Sequence, residues 1–564
     1  MNANHAQNLA LSSFIVLTSI VIGLSYGNGN HNTYLIHGLT QINPNFLSGD
    51  WFAHSTHHYH DKFSYILILV NYLGLPINIS LTVIEVLLRI IALVVIYKIL
   101  CLATHTHAFM SFMIVLVLVI LERTQSVAGS YIFDTILEPS SFGSIFSLVG
   151  FLFFLQGRYF ISGASIAFAG YMHTNFLLLG FVYLGIAHVV LGVEGLTKRV
   201  AIQFLPMVFV LVMDLPFLLS MISSENGEKA TYIFQFVRSP HHYVPSYYLG
   251  DFVLFAGWSI LGLTSLQLIA IENSLKRRLV GLYSALLSII VISTLLTTIV
   301  FIPMVSKLFF WRMAPFSVLL SQILFATSIV SQAFSDKRET TVHFIITLLF
   351  LLLGYLFILR WYLYKYGLNS NKTLLLAGFA FFCGVLFLRT FIVARINSFC
   401  LSKNAINAAC IGMLSLILAY EFSSSFYRHS TLLNGHPGKS ESELYQWVKT
   451  TEESAIFLTP PELENFRLHG ERAIIADWKS TPVDPSGLIE WYKRIQDITG
   501  LIDIKSNKNV NEAYLHANIE RVTFLKNKYG INYAVLYRDK NELNRNFPEV
   551  FKNEKFVVLS LESL

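Results

Sequence analysis

Charge is what this sequence has least of. Only 13% of its 564 residues are Asp, Glu, Lys or Arg, where a soluble protein of this size carries roughly 25%. The deficit excludes a soluble enzyme as a description of the whole chain and places most of it in lipid. Cysteine is scarcer still. Cys101, Cys383, Cys400 and Cys410 all lie in or beside apolar segments, so neither a disulfide framework nor a cysteine zinc site is implied. No Lys or Arg precedes the first apolar run, which argues for a first spanning helix rather than a leader. The net charge of +6 is accounted for largely by short loops and needs no nucleic acid to explain it.

What is abundant is apolar. The chain is 54% hydrophobic, with 46 Phe and 27 Tyr, as expected where aromatics fill helix interfaces and membrane-water belts. Runs long enough to span, or nearly so, are 11-26, 64-100, 107-121, 141-156, 160-174, 176-193, 200-222, 251-271, 279-302, 313-334, 341-360, 373-393 and 404-421. They predict a polytopic helical protein of about thirteen transmembrane helices. Pro76 divides 64-100 into a short interfacial piece and a span, and His173-Thr174-Asn175 separates two neighbouring helices. Basic residues cluster at Arg158, at Lys198 and Arg199, at Lys276 to Arg278, at Lys337 and Arg338, and at Arg395 to Lys403. With these turns inside, the N-terminus is cytoplasmic and the C-terminus outside, although Arg360, Lys365 and Lys372 then fall on the outer face.

Composition changes at Ser423. A Ser-, His-, Gly- and Pro-containing linker runs over 423-440, and strands alternate with helices over 441-564, which predicts a small C-terminal α/β domain. Its helices are expected over 441-450, from the Asp484 cap and Pro485 to Asp497, and over 511-529 with a stop at Gly530; its strands over 455-458, 472-478, 532-537 and 556-561. Residues 1-422 form the membrane domain and 441-564 an extracytoplasmic one. In that tail no P-loop, dinucleotide fingerprint or nucleophile elbow occurs. Arg467, Arg472, Lys479, Glu490, Trp491 and Arg494 read as a solvated surface on a domain covering the membrane site.

Polar chemistry concentrates in three loops assigned to one side. The first, Asn28 to Phe63, holds Asp50, Asp61 and His31, His37, His54, His57, His58 and His60. Were 50-61 helical, Asp50, His54, His57 or His58, and Asp61 would share a face and make a divalent-metal surface; the alternative is a polar segment lying on the membrane. The second loop carries Asp134 and Glu138, four apart, a pair suited to holding a cation or to dividing base and charge-stabilising roles. An ordinary helix-entry cap before Pro139 explains the same residues. In the third, Arg238, His241 and His242 suit a phosphate or pyrophosphate, and Tyr243 suits a sugar face or a membrane belt. Arg312 is a further phosphate candidate, and His173 a candidate for lining a cavity. Glu85 and Arg89 are spaced as a self-compensating pair, whereas Asp214 has no obvious local partner.

This layout resembles the GT-C class of integral-membrane glycosyltransferases. The resemblance lies in the N-in topology, an acidic residue in the first outer loop, an acidic pair in the second, many spans and an outer α/β tail. More narrowly, Asn30 to Leu35, Asp50-Trp51-Phe52, Glu138-Pro139, Arg238 to Pro245 and Phe466 to Arg494 are similar to stretches of uncharacterised bacterial membrane proteins. The GT-C resemblance implies a polyprenyl-phosphate or polyprenyl-pyrophosphate sugar donor at the outer leaflet of the cytoplasmic membrane, in surface glycan assembly. It also implies acidic base or metal ligands in the first two outer loops. Those roles fall on Asp50, Asp134 and Glu138, with Mg2+ or Mn2+ as the metal. One departure stands out: where the class places an acidic residue soon after the first helix, this chain has Asn28, Asn30, His31 and Asn32. A lipid-linked glycan transporter and a non-catalytic scaffold of the same fold are the competing readings.

Overall fold

The computed structural model describes residues 3–333 and 438–562, apart from breaks at 57–59, 105–106, 123–125, 193–195, 223–226, 483 and 539–546, with scattered positions between 354 and 420. The expected run 373-393, most of 341-360 and 404-421 and most of the linker fall outside the described residues, as does His57.

The membrane part opens with α1 (Ala3–Val21), then α2 (His31–Ile42), α3 (Trp51–Ser55), α4 (Asp61–Tyr72), α5 (Ile77–Thr104) and α6 (Ala108–Glu122). It continues through α7 (Pro139–Leu155), α8 (Tyr159–Met172), α9 (Thr174–Leu191), α10 (Leu196–Ile222), α11 (Gly227–Tyr232) and α12 (Pro240–Tyr243). It closes with α13 (Leu249–Leu268), α14 (Asn273–Thr298), α15 (Pro303–Lys307) and α16 (Ala314–Ala333). Among the described residues six helical stretches are long and apolar enough to cross a membrane, and four shorter apolar helices accompany them. The chain breaks at Pro76 and at His173, as the sequence predicts.

Burial orders the bundle. The stretch Val305–Gln332 is 94% buried, while Thr197–Pro216 is only 22% buried. The helix α16 is therefore the central post, and α10 turns Val208, Phe209 and Val212 outward, where a bilayer provides the apolar solvent. The tightest helix contact is α8 on α10. A Cβ on Gly163 would lie 1.8 Å from the Gln203 carbonyl oxygen, so only glycine lets these backbones approach. Gln203 accepts from His188 Nε2 at 2.5 Å and donates to Ser162 Oγ at 2.8 Å, which donates to the Gly150 carbonyl at 2.8 Å. This polar chain links α7, α8, α9 and α10 and fixes their register. Asp214 has found a partner across the bundle: Lys62 Nζ reaches its Oδ1 at 2.6 Å and Thr174 Oγ1 its Oδ2 at 2.8 Å.

The C-terminal domain is a five-stranded mixed sheet of order β2-β1-β3-β5-β4, built from β1 (Ile456–Leu458), β2 (Ala473–Ile474), β3 (Tyr533–Tyr537), β4 (Glu549–Lys552) and β5 (Phe556–Ser560). β1 runs parallel to β2 and β3, and β5 antiparallel to β3 and β4. Its helices are α17 (Lys439–Val448), α18 (Phe466–Gly470), α19 (Pro485–Thr499), α20 (Asn507–Leu515) and α21 (Ile519–Tyr529). The expected cap is there, Asp484 accepting from the Gly487 amide at 2.7 Å, and Gly530 ends α21 in the left-handed region. The single helix expected over 511-529 is two, because Asn518 caps a new one by accepting from the Arg521 amide. β4 and α18 are additions that the sequence pattern missed.

The two parts are packed together. Ala230, Ile233 and Val237, from α11 and the helical turn that follows it, sit in one apolar cluster with Ile475, Trp478, Leu488 and Trp491 of the C-terminal domain. Burial of this kind is non-directional and drives docking; the polar contacts described next fix its register.

Candidate functional site

The acidic loop before α7 is anchored from below. Arg89 Nε bonds Glu85 at 3.0 Å, and the same guanidinium donates to the carbonyls of Ser19, Gly23 and Asp134 at 2.8, 2.6 and 2.5 Å. The predicted ion pair therefore also pins the Asp134 backbone to α1 and α5. His31 crosses the same seam: its Nδ1 accepts from the Gly27 amide and its Nε2 donates to the Leu137 carbonyl, both at 3.0 Å. Burial holds this imidazole neutral, its pKa down at about 4. Asp134 is half-buried and accepts from the Thr135 amide at 2.6 Å.

Glu138 is 2% exposed and caps α7. Asn30 Nδ2 donates to its Oε1 at 2.7 Å and Ser140 Oγ to its Oε2 at 3.0 Å. Burial first, and then the Asp134 charge, push its pKa up to about 8, against the pull of Asn30, Ser140 and Lys479. The helix-entry cap expected before Pro139 is therefore present. A carboxyl poised near neutrality is the range in which a general base works.

Beside this loop stands a cation without a counter-ion. Arg312 lies at the start of the α16 stretch, its guanidinium 5.4 Å from the Phe176 ring centre and 5.1 Å from that of Phe309. No hydrogen bond or ion pair to it occurs among the described residues, and its Nε is buried and unpartnered. The Arg312 charge bears on Tyr34, Tyr243, His60 and His173 alike. Tyr34 also feels Glu138 and Asp134, which places both halves of the cluster in one locale. The His60 and His173 rings meet in a tilted contact at 4.1 Å, and Tyr34 lies 5.7 Å from His60. Burial first, then neighbouring positive charge, keeps both imidazoles neutral, His60 at about 3. Cation–π contact partly offsets the cost of desolvating the half-buried Arg312, and a guanidinium whose Nε is buried and unpartnered suits an anion.

Asp50 is placed elsewhere. Its Oδ1 accepts from the Ala53 amide at 3.0 Å, capping α3; its Oδ2 accepts from Arg467 Nε at 2.7 Å and from the Ile474 amide at 3.0 Å. Arg467 also pairs with Asp477, and all three side chains are buried. The expectation of Asp50 as base or metal ligand needs correction on this geometry, since its lone pairs are filled by fixed donors. It latches the C-terminal domain to the first loop. The solvated-surface expectation for Arg467 fails for the same reason. The dock is completed by His469 Nε2 to the Gly27 carbonyl at 2.5 Å, Asn32 to Asn465, and Ser480 Oγ to the Asn32 carbonyl at 3.2 Å.

The third loop meets that domain from the other side. Arg238 donates to the Lys479 carbonyl at 3.0 Å and lies 6.0 Å from the Trp478 ring centre. His242 is a correction to the phosphate assignment. Its Nδ1 donates to the Ala128 carbonyl at 2.9 Å, and burial holds its pKa at about 3. A neutral ring whose proton is committed at Nδ1 has only an acceptor left at Nε2. His241, half-buried, lies tilted against it at 4.1 Å and is likewise held below the usual range, by burial and then by Arg238 and Lys479. Tyr243 packs between Phe234 and Phe309 at 5.3 and 5.6 Å.

The residues do not fit the expected divalent metal. Among the described residues no group of three ligands comes together. The helix α3 ends at Ser55, so the assumed helical face over 50-61 does not exist, and His54 is exposed with its Nε2 on the Phe46 carbonyl at 3.0 Å. Amide and hydroxyl donors occupy both carboxylate oxygens of Glu138. Sequence reasoning missed Tyr34, Lys479 and Glu464; only the polar character of the segment 464–480 hinted at the last two. A separate hollow of about 1100 Å³, bordered by Glu462, Asn511, Tyr537 and Lys555, lies on the C-terminal domain and shares no lining residue with this cluster.

Residues 439–498 match a domain of unknown function, DUF6798. No curated protein matches the chain. Among solved structures, ArnT from Cupriavidus metallidurans bound to undecaprenyl phosphate aligns over 98% of this chain and 97% of its own, with a TM-score of 0.52 at 14% identity. The same protein in the apo state aligns over 99% and 98%, with a TM-score of 0.51 at 12% identity. From first helix to last strand, then, this is a multi-pass membrane protein with the GT-C glycosyltransferase-like fold.

Proposed function

We propose that the protein is a membrane glycosyltransferase that takes its sugar from a polyprenyl-phosphate-type carrier at the outer face of the cytoplasmic membrane, for surface glycan assembly. The observation that carries this reading is Arg312, a guanidinium held at the bundle end with unfilled donors and no counter-ion among the described residues. Tyr34 and Tyr243, whose hydroxyls make no hydrogen bond among the described residues, lie within reach of its field. Together they suit a phosphate on a lipid. The ArnT structure, bound to undecaprenyl phosphate, supports the same chemistry by analogy of fold.

In this reading the acceptor hydroxyl gives its proton to the Glu138 carboxylate as its oxygen bonds to the anomeric carbon. The bond from that carbon to the phosphate oxygen breaks, and the departing phosphate keeps the electron pair under Arg312. Such fixed donors at a developing charge are worth about 10²–10³ in rate each. Polar groups gathered at one end of the bundle favour this over a path for transport, which needs ionisable residues along its length.

The test is radiolabelled-sugar transfer in membranes by wild type, Glu138→Gln and Arg312→Met. We expect each variant to lose about a hundredfold or more. Equal transfer by all three proteins refutes the assignment.

A further inference from the structure

We propose that the C-terminal domain touches the bilayer itself. Ile502, at the tip of the turn after α19, enters the apolar edge of the leaflet on the domain's own side. The inference goes beyond the transfer chemistry proposed above and does not depend on it.

Ile502 is 92% exposed, while its neighbours turn inward. Leu501 packs against the apolar cluster shared by the two parts of the molecule, and Ile504 is buried within it. The tip is also held in place. Gln496 Nε2 donates to the Ile502 carbonyl, and the Ile504 amide donates to the Tyr492 hydroxyl at 3.1 Å. Both anchoring side chains belong to α19, so the backbone fixes the outward direction of the isoleucine. One exposed isoleucine on a water-facing surface is ordinary. What sets this one apart is where it stands.

The helix α19 packs on α11 and on residues 233–238, and that segment lies at the ends of two spans. It follows α10 in the chain, and Phe236 meets Phe301, just beyond the end of α14, at 5.0 Å. Tyr232 and Phe236 stack at 5.4 Å, and both are exposed, as are Ile299 and Val300 at the end of α14. Apolar surface therefore continues from the outward face of α10, at Phe209 and Val212, to the foot of the C-terminal domain. The occupant of that surface is the bilayer, because two spans already turn it to lipid. Tyr232 has the amphipathic character of a belt residue at the membrane-water boundary. Asp503 and Lys505, next to the tip, are exposed and charged. They limit entry to the boundary between headgroups and chains, where an apolar tip with a polar flank is at home. This contact gives the domain a hold on the membrane besides the buried Asp50–Arg467 pair.

The experiment places the full chain in phosphatidylcholine nanodiscs at one copy per disc. Ile502→Cys carries a nitroxide in a background with Cys101→Ala, Cys383→Ala, Cys400→Ala and Cys410→Ala. Phe209→Cys in the same background is the lipid standard, and free label in buffer is the water standard. Power-saturation electron paramagnetic resonance then compares relaxation by oxygen, which concentrates in lipid, with relaxation by a water-soluble nickel chelate. We expect oxygen to dominate at Ile502, the same ordering as at Phe209. Dominance of the nickel chelate at Ile502 overturns the proposal, and so does a label shielded from both probes, which marks a tip covered by protein. A lipid-like signal at Phe209 shows that the background is folded. If it is not, Ile502→Trp in the otherwise native chain decides alone. Its added fluorescence is expected to be quenched by brominated phosphatidylcholine and spared by aqueous iodide; quenching by iodide without quenching by the brominated lipid overturns the proposal.

Discussion

Asp50→Asn separates a latch from a base. The substitution keeps shape and keeps an oxygen for the Ala53 amide, but removes the charge that Arg467 bonds at 2.7 Å. Both side chains are within 1% of complete burial, so solvent screening does not dilute the loss. Breaking a buried pair costs about 3–5 kcal/mol. Arg467 retains Asp477, which points to the lower end, about 3 kcal/mol, or roughly a hundredfold in the ratio of docked to undocked domain. Hydrogen exchange at the Ile474 amide, which donates to Asp50 at 3.0 Å, reports the loss of that acceptor together with undocking. We expect its exchange in Asp50→Asn to quicken about a hundredfold, with the linker side of the domain more open to protease. Arg467→Met should be more severe, because it strands two buried carboxylates. Exchange at Ile474 and a melting temperature both identical to wild type, alongside abolished transfer, would show that Asp50 acts in the chemistry and that the latch argument is wrong.

Transfer should rise with pH. The carboxylate is the active form of Glu138, and with its pKa at about 8 only about a tenth is ionised at pH 7; the rate should climb through a midpoint near pH 8, and Glu138→Gln should flatten the profile. The sign for stability is opposite: the raised pKa makes the folded state lose stability as pH climbs from the ordinary carboxylate range to about 8, and the same variant removes that slope, measurable by melting temperature at several pH values. Gly163→Ala should cost about 2 kcal/mol through overpacking of α8 on α10, seen as a lower melting temperature in detergent. A Gly163→Ala protein as stable as wild type contradicts the close approach to the Gln203 carbonyl.

The span pattern was legible because lipid leaves so few options for a backbone. The breaks at Pro76 and His173, the Asp484 cap and the Gly530 stop all came from local rules that act within a few residues. The acidic pair and Arg312 were legible for a related reason: ionisable residues beside apolar runs are conspicuous. What local reasoning lacks is the partner. Asp50 reads as a free carboxylate until Arg467, over 400 positions away, is brought against it. His242 reads as a phosphate donor until the Ala128 carbonyl fixes its tautomer. Lys479 reads as solvated surface until the domain docks and encloses it. Each depends on a contact between distant segments, which no spacing within one loop encodes.

The neutral stretch after α1 now has a physical role. Asn30 donates to Glu138 and Asn32 to Asn465, so this loop supplies amides where a carboxylate stands in the class the chain resembles. A third acid at Asn30 would add repulsion to a group already pushed up by burial and Asp134, driving its ionisation well above neutrality. The amide acts the other way, donating to the charged form and favouring it. On the proposed assignment of Glu138 as base, a neutral first loop keeps its ionisation nearer neutrality, and the missing acid fits that assignment.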